Sequence, residues 1–430
     1  MKRRIKRSVK ILLLLLLFSI IICLCLIYLL NNKKESNNKE EVDIVDEIFE
    51  KINIDKNFLK YINDNYPNSL NKLNNLLIDN EYDISYWHDV TGYSYIVLND
   101  LYHNLYNTMN NVKIINSNNG IISFVGDVSL ADNWFVAPRY DEGGISRILS
   151  DDVLEIMKNS DVMIANSEFT ISSRGSKLPN KMYTFKAKKE RLAIYHEMGI
   201  DLVTLANNHV YDYGLDAFND MLDAFDEYDI PHIGAGHNIE EASKPYYFIV
   251  NGYKIAFVNA NRSEKFILTP GATEDSEGVF RCYDPTDMIN LIKSLRDDND
   301  YVIAIIHYGK ENSHELEDEQ VSSSKAYIDA GADMVVGHHA HTLQGIEFYN
   351  HKPIIYNLGN FLFNCEIVDT AIFQAVLNNN GEFNYYMIPA IQKNTKTSLL
   401  EGVDRLRVIN DINSWSINAK IDEDGKIIEI

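Results

Sequence analysis

The chain has 430 residues, 46% of them apolar, and a formal net charge of −22. That length and apolar share exclude a disordered chain and suit one large domain or two ordinary ones around a buried core. The acidic balance excludes nucleic acid as a partner, because phosphates need a basic footprint, and it repels polyanions at long range unless a metal or other positive centre intervenes.

Lys2, Arg3, Arg4, Lys6, Arg7 and Lys10 precede the apolar run ILLLLLLFSIIICLCLIYLL at residues 11–30. At a helical rise of about 1.5 Å such a run spans a bilayer core of about 30 Å. Basic residues on its N-terminal flank hold that end in the cytoplasm. The expectation is a single-pass cell-membrane anchor, with a cytoplasmic tail at residues 1–10 and an extracellular body. A cleaved signal peptide is the competing reading. It would have a shorter apolar core and a small-residue cleavage site, whereas Tyr28-Leu29-Leu30-Asn31 follows here. Two of the four cysteines lie in this run; Cys282 and Cys365 in the body could pair, which spacing does not decide.

Residues 31–45 are polar and charged and read as a linker. From 46 to 118 apolar residues recur at helical spacing, with aromatics at Tyr86, Trp87, Tyr93 and Tyr95. This predicts a small helical segment that packs on the main body as a spacer or membrane-proximal support.

From Gly120 the pattern alternates. Apolar β-branched runs at 121–125, 162–165, 202–206, 247–250, 255–260, 301–306, 333–337, 354–359 and 371–377 predict strands. Segments at 149–158, 188–198, 214–228, 285–297 and 320–330 predict helices between them. Asn251-Gly252 and Asn379-Asn380-Gly381 mark hairpins. The fold class expected is α/β: a mixed sandwich at 119–392 flanked by helices, followed by a C-terminal extension at 393–430.

Active groups in α/β folds gather at strand ends. The residues that follow the runs are Gly126-Asp127, Asn166-Ser167-Glu168, Asn207-Asn208-His209, His307-Tyr308-Gly309-Lys310-Glu311, His338-His339-Ala340-His341 and Asn357-Leu358-Gly359-Asn360. Taken singly, each has an ordinary explanation. Asp127 or Asn207-Asn208 could cap a turn, Glu168 could be a solvated acid, and His307 a satisfied histidine. As a series they are Asp, Glu, Asn, His and then H-x-H, each at a strand end, which independent turns have no reason to select. Carboxylate, amide oxygen and imidazole without thiolate suit Mn, Fe or Zn, as one ion or as a pair about 3.5–4 Å apart.

The ordered set GDVSL (126–130), NSE (166–168), ANNHVYDYG (206–214), HYGKE (307–311), GHHAH (337–341) and NLGNFLF (357–363) resembles the CapA-type poly-γ-glutamate biosynthesis proteins, a branch of the calcineurin-like metallophosphatases, over roughly residues 120–390. The resemblance implies a metallophosphatase-like sandwich, often tethered to the outer face of the membrane. It implies metal ligation by Asp127, Glu168, Asn208, His307, His339 and His341, with Asp127 and His209 catalytic and His209 donating a proton to the leaving group. Among 338–341 the H-x-H pair His339 and His341 fits best, which leaves His338 beside the site. Lys181, in a K-x-Y-x-F stretch ending at Phe185, stands either to meet an anionic group or as an ordinary solvated lysine. Glu311 is placed to orient His307, and Asn360 to hold a strand turn.

Three departures stand out. Ser129 occupies the third position of the superfamily's D-x-H, Ala340 replaces a frequent proline, and Ala131-Asp132 stands where an arginine often follows. The metal count therefore stays open at one or two. The function implied is metal-dependent hydrolysis in the synthesis of an anionic envelope polymer such as poly-γ-glutamate. The alternative is a non-catalytic polymer-binding or export component working with membrane synthase subunits.

Overall fold

The computed structural model describes residues 56–66, 84–102, 111–115, 120–263 and 268–430, with a few isolated positions between 45 and 72. The anchor expected at 11–30, its basic tail and the linker after it lie outside the described residues. No helix among the described residues is long and apolar enough to cross a membrane.

Two compact units divide at Met109/Asn110. The first contains helices Lys56–Asn65, Ile84–Thr91 and Tyr95–Tyr102. Its core is aromatic: the Phe58 ring lies 6.2 Å from Trp87 and 5.4 Å from Tyr93, all three buried. The segment ends earlier than the expected boundary at 118. Val112–Ile115, an alternating β-branched stretch, pairs in parallel with Tyr246–Val250 and so belongs to the second unit.

The second unit is a sandwich of two mixed sheets. The first has seven strands in the spatial order Val112–Ile115, Tyr246–Val250, Tyr253–Asn261, Tyr301–His307, Met334–His338, Lys352–Ile355 and Ile346–Tyr349. The second has ten, with Ala419–Ile421, Lys426–Glu429, Phe383–Lys393, Val368–Leu377, Ile121–Val128, Val162–Ser167, Leu202–Thr204 and His232–Ile233 in order. Asn360–Leu362 joins it beside Ile121–Val128, and Lys396–Leu399 beside Phe383–Lys393.

The apolar runs are unbroken because both faces of these strands are covered. In Tyr301–His307, Ile303 and Ile305 enter the core between the sheets, while Val302, Ala304 and Ile306 face the outer helices. Phe124 of one sheet lies 6.5 Å from Phe257 of the other. Both expected hairpins form. Asn251 and Gly252 take φ 50 and 80, the double positive φ of a two-residue turn. Val368–Leu377 returns antiparallel as Phe383–Lys393 across Asn379-Asn380-Gly381.

Residues 393–430 are not an extension. They add Lys396–Leu399, Ala419–Ile421 and Lys426–Glu429 to the ten-stranded sheet. Helix Gly402–Trp415 sends Val408, Ile409 and Ile412 into the inter-sheet core. Phe383–Lys393 is eleven residues long and would otherwise present a bare edge. Cys282 is buried and Cys365 exposed, both as free thiols, so the pairing that spacing left open is not formed.

Ile121–Val128, Val162–Ser167 and Leu202–Thr204 run parallel, as do Tyr253–Asn261, Tyr301–His307 and Met334–His338. Their C-terminal ends meet at one rim of the sandwich. Two glycines permit the approach. A Cβ on Gly126 would lie 1.9 Å from the Gly359 carbonyl oxygen, and one on Gly337 2.0 Å from that of Tyr356.

Candidate metal centre

Each sheet delivers part of the cluster. Asp127 lies near the end of Ile121–Val128, opposite Asn166 and Asn360 in register. Glu168 follows Val162–Ser167 directly, and Asn208 and His209 follow Leu202–Thr204 after a short loop. From the other sheet, His307 and His338 end their strands side by side. The next turn carries His339 and His341 at φ 95 and 58. That backbone is unfavourable for a side chain with a Cβ and is held only where the surroundings impose it.

Among the described residues these side chains form two candidate ligand groups that share one carboxylate: Glu168 with His307 and His339, and Glu168 with Asp127 and His341. In the first, His307 Nε2 lies 2.8 Å from Asn208 Oδ1 and 3.1 Å from His339 Nδ1. In the second, His341 Nδ1 lies 3.2 Å from Asp127 Oδ2. Glu168 Oε1 sits between the groups, 3.8 Å from His307 Nε2 and 3.8 Å from His341 Nε2. Glu168 Oε1 and Asp127 Oδ2 are both buried without a hydrogen-bond partner. Two orphaned carboxylate oxygens facing imidazole nitrogens are what a cation-binding cradle requires.

The other expected site residues fall around this cluster. His338 is outside both groups; its Nε2–H donates to the Val125 carbonyl at 3.1 Å. His209 Nε2 stands 3.9 Å from Glu168 Oε1, and its Nδ1–H donates to Asp212 Oδ2 at 2.8 Å. Lys181 was expected to meet an anionic ligand or solvent, but its buried ammonium is 2.8 Å from Asp212 Oδ1 and also donates to the Asn208 carbonyl. It clamps the loop beneath His209. Glu311 is exposed, and the group facing His307 Nδ1 is Asn166 Nδ2 at 3.4 Å. Asn166 takes this place because its strand is the register neighbour of Asp127. Ser129, in the D-x-H position, is fully buried, and its Oγ has no hydrogen-bond partner among the described residues.

The family model described as bacterial capsule synthesis protein PGA_cap matches residues 121–365, which include every one of these ligands. The chain belongs to this family. The PGA biosynthesis protein CapA of Bacillus subtilis strain 168 is 30% identical over 317 residues, covering 71% of this chain and 80% of its own. The capsule biosynthesis protein CapA of Bacillus anthracis is 29% identical over 303 residues, covering 68% and 72%. A phosphatase from Mycoplasma pneumoniae superposes on 65% of this chain and 95% of its own at a TM-score of 0.40 and 15% identity, too loosely to carry function.

The electrostatics of this capsule-family site separate its two acids. Burial raises Glu168 well above the usual carboxylate range, and the charges of Asp127 and Glu311 add to it. Burial also acts to raise Asp127, but the close approach of His341 and the nearby imidazole charges outweigh it and leave Asp127 lowered. His341 is raised because Asp127 outweighs its burial. Burial drives His307 well below the usual imidazole range and His339 to about 3. Without metal, these shifts favour the protonated form of Glu168, a charged His341 beside Asp127, and neutral His307 and His339. Ligation requires Glu168 and His341 to give up protons, so metal affinity rises with pH. Titration calorimetry with Mn2+ at about pH 6 and about pH 8, in buffers of different ionisation enthalpy, should show proton release and tighter binding at the higher pH. A pH-independent affinity with no proton release would contradict this assignment.

Three residues that support the site escaped sequence reading as such. Asn166 Nδ2 donates to Asp127 Oδ1 at 2.8 Å and to Glu168 Oε2 at 3.0 Å, which fixes both carboxylates. Asp212 orients His209; its sequence signal was the H-x-x-D spacing inside ANNHVYDYG. Asn360, expected to hold only a strand turn, brings its Oδ1 to 2.8 Å from His341 Nδ1.

Proposed function

We propose that the chain is a membrane-anchored, metal-dependent hydrolase acting outside the cell in the synthesis of a capsule polymer such as poly-γ-glutamate. The observation that carries this reading is Glu168, one carboxylate placed between two groups of oxygen and imidazole donors. The donor set fits Mn, Fe or Zn. When bound, such ions supply Lewis-acid polarisation of the scissile group and of the attacking water.

The chain's own residues do the rest. Asn166 holds Asp127 and Glu168 in orientation. Asp212 accepts the His209 Nδ1 proton, so Nε2 is the atom that hands a proton to the leaving group. Phe185 and Phe363 pack against His209 and His341 at 4.5 and 4.8 Å and exclude water. The superfamily relation to calcineurin-like metallophosphatases and the anchor at residues 11–30 belong to the same proposal, as do membrane synthase or export subunits as partners.

A second reading is favoured by the names of the two relatives, which refer to biosynthesis and not to cleavage. In it the site grips polymer without turnover. Incubating the metal-loaded protein with poly-γ-glutamate and with a generic phosphodiester, and reading products by mass spectrometry, separates the cases. Cleavage of the amide polymer selects a peptidase-like hydrolase, and phosphoester cleavage alone selects a phosphoesterase. Intact substrates in both arms would overturn the hydrolase reading.

A further inference from the structure

A continuous run of aromatic rings leads from the metal centre to the surface. Phe363 lies 4.8 Å from His341 and 5.4 Å from Phe185. Phe185 lies 4.5 Å from His209 and 4.9 Å from Trp134. Trp134 contacts Phe135 at 4.8 Å and Tyr183 at 6.0 Å. The outer members are exposed: Phe135 by 41%, Tyr183 by 54% and the adjacent Met182 by 86%. Large apolar side chains at that exposure are not explained by the core, and here they gather around one half-buried tryptophan.

The carboxylates on both sides of the centre are paired with cations. Asp132 and Asp141, on the segment that carries Trp134 and Phe135, are both bound by Arg191 at 2.6 Å. Asp212, behind Phe185, is bound by Lys181. On the other side of His341 a groove is lined by His314, Asp369, Asp411 and Trp415. There two carboxylates share one cation: Arg407 lies 2.7 Å from Asp369 and 3.2 Å from Asp411.

We infer that the exposed rings of Phe135 and Tyr183, gathered on half-buried Trp134, form a binding subsite for a ring, sugar or aromatic, carried on the leaving side of an anionic ester. The leaving side is assigned by His209: Phe185 packs against it at 4.5 Å with the rings tilted by 47°, so the group that takes its proton lies on the side of Phe185 and the exposed rings beyond. This rests on the phosphoesterase case of the metallohydrolase reading, not on cleavage of the amide polymer. In the reaction water adds to phosphorus and releases one proton to solvent, the ester P–O bond breaks, the leaving oxygen takes the proton from His209, and solvent returns a proton to His209. An exposed face of this kind stacks planar aromatics and sugar rings alike, and a linear aliphatic group gains nothing comparable from it.

The test uses the full chain in detergent, loaded with Mn2+, and three phosphate esters: 1-naphthyl, glucosyl and n-butyl. The wild type should favour one or both ring esters in kcat/KM. Tyr183→Ala and Phe135→Ala, both exposed positions, should each raise KM for ring esters about three- to tenfold, the worth of one ring contact, without changing kcat. The butyl ester should be unaffected. Preference for the naphthyl ester alone identifies a planar ring, and for the glucosyl ester alone a sugar. No ring preference, or an equal shift for all three esters, overturns the subsite. If no ester is turned over, phosphoester hydrolysis fails as a reading and equilibrium dialysis decides the wall. Tighter retention of naphthyl or glucosyl phosphate than butyl phosphate, lost in Tyr183→Ala, supports it; equal retention overturns it.

Discussion

Glu168→Gln is expected to empty both ligand groups at once, whereas His339→Ala and His341→Ala should each empty one. Glu168 is the only residue common to the two groups, and its Oε1 is the orphaned oxygen between His307 and His341. An amide in its place supplies no charge to a cation in a buried site. Metal analysis should therefore read about two ions per chain for wild type, about one for each histidine variant and about none for Glu168→Gln. The same order should appear in stability. At a free metal concentration a hundredfold above Kd, each occupied site adds about 2.7 kcal/mol, and Glu168→Gln should gain nothing from added metal. Without metal that variant should melt close to wild type, because burial favours the protonated form of Glu168 and glutamine is nearly isosteric with that acid form. Should either histidine variant lose all metal, the centre holds one ion, and Ser129 in the D-x-H position marks a site reduced to a single metal. Full metal content in Glu168→Gln would remove Glu168 from the ligands.

His209→Ala is expected to lower turnover about 10²- to 10⁴-fold with metal content unchanged. His209 belongs to neither ligand group, and Asp212 and Phe185 hold it in place. A proton donor matters most for a poor leaving group. The loss should thus be large for an alkyl phosphate and small for 4-nitrophenyl phosphate, whose leaving oxygen needs no proton. Asp212→Asn should fall between wild type and His209→Ala, since an amide oxygen still accepts the Nδ1 proton but carries no charge. An equal loss on both esters, or a drop in bound metal in His209→Ala, would place His209 among the structural groups instead.

Much of the candidate site could be read from the sequence because the strands that build it are covered on both faces. Such strands appear as unbroken apolar runs, and the first polar residues after them lie at the sheet rim. Asp127, Glu168, His307 and the 338–341 cluster were all found this way. Supporting residues were harder. Asn166 sits inside its strand and gains its part from the register that sets it opposite Asp127. Asp212 looks like one more acid in an acidic chain until Lys181, thirty-one positions earlier, closes on it. The C-terminal segment is hard to read for a related reason. Its strands are short, and what makes them part of the domain is the long edge they cover.

By itself the sequence determined the α/β class, the strand ends and the chemical kind of the site, since these depend on local periodicity and residue type. It also carried the family. Only the tertiary structure decided that two sheets bring their ends to one rim, that Glu168 stands between two ligand groups, that His338 turns away to Val125 and that Lys181 faces Asp212 rather than a ligand. Those outcomes depend on register and on side-chain direction across contacts distant in sequence, where one residue of slip turns a ligand to the opposite face.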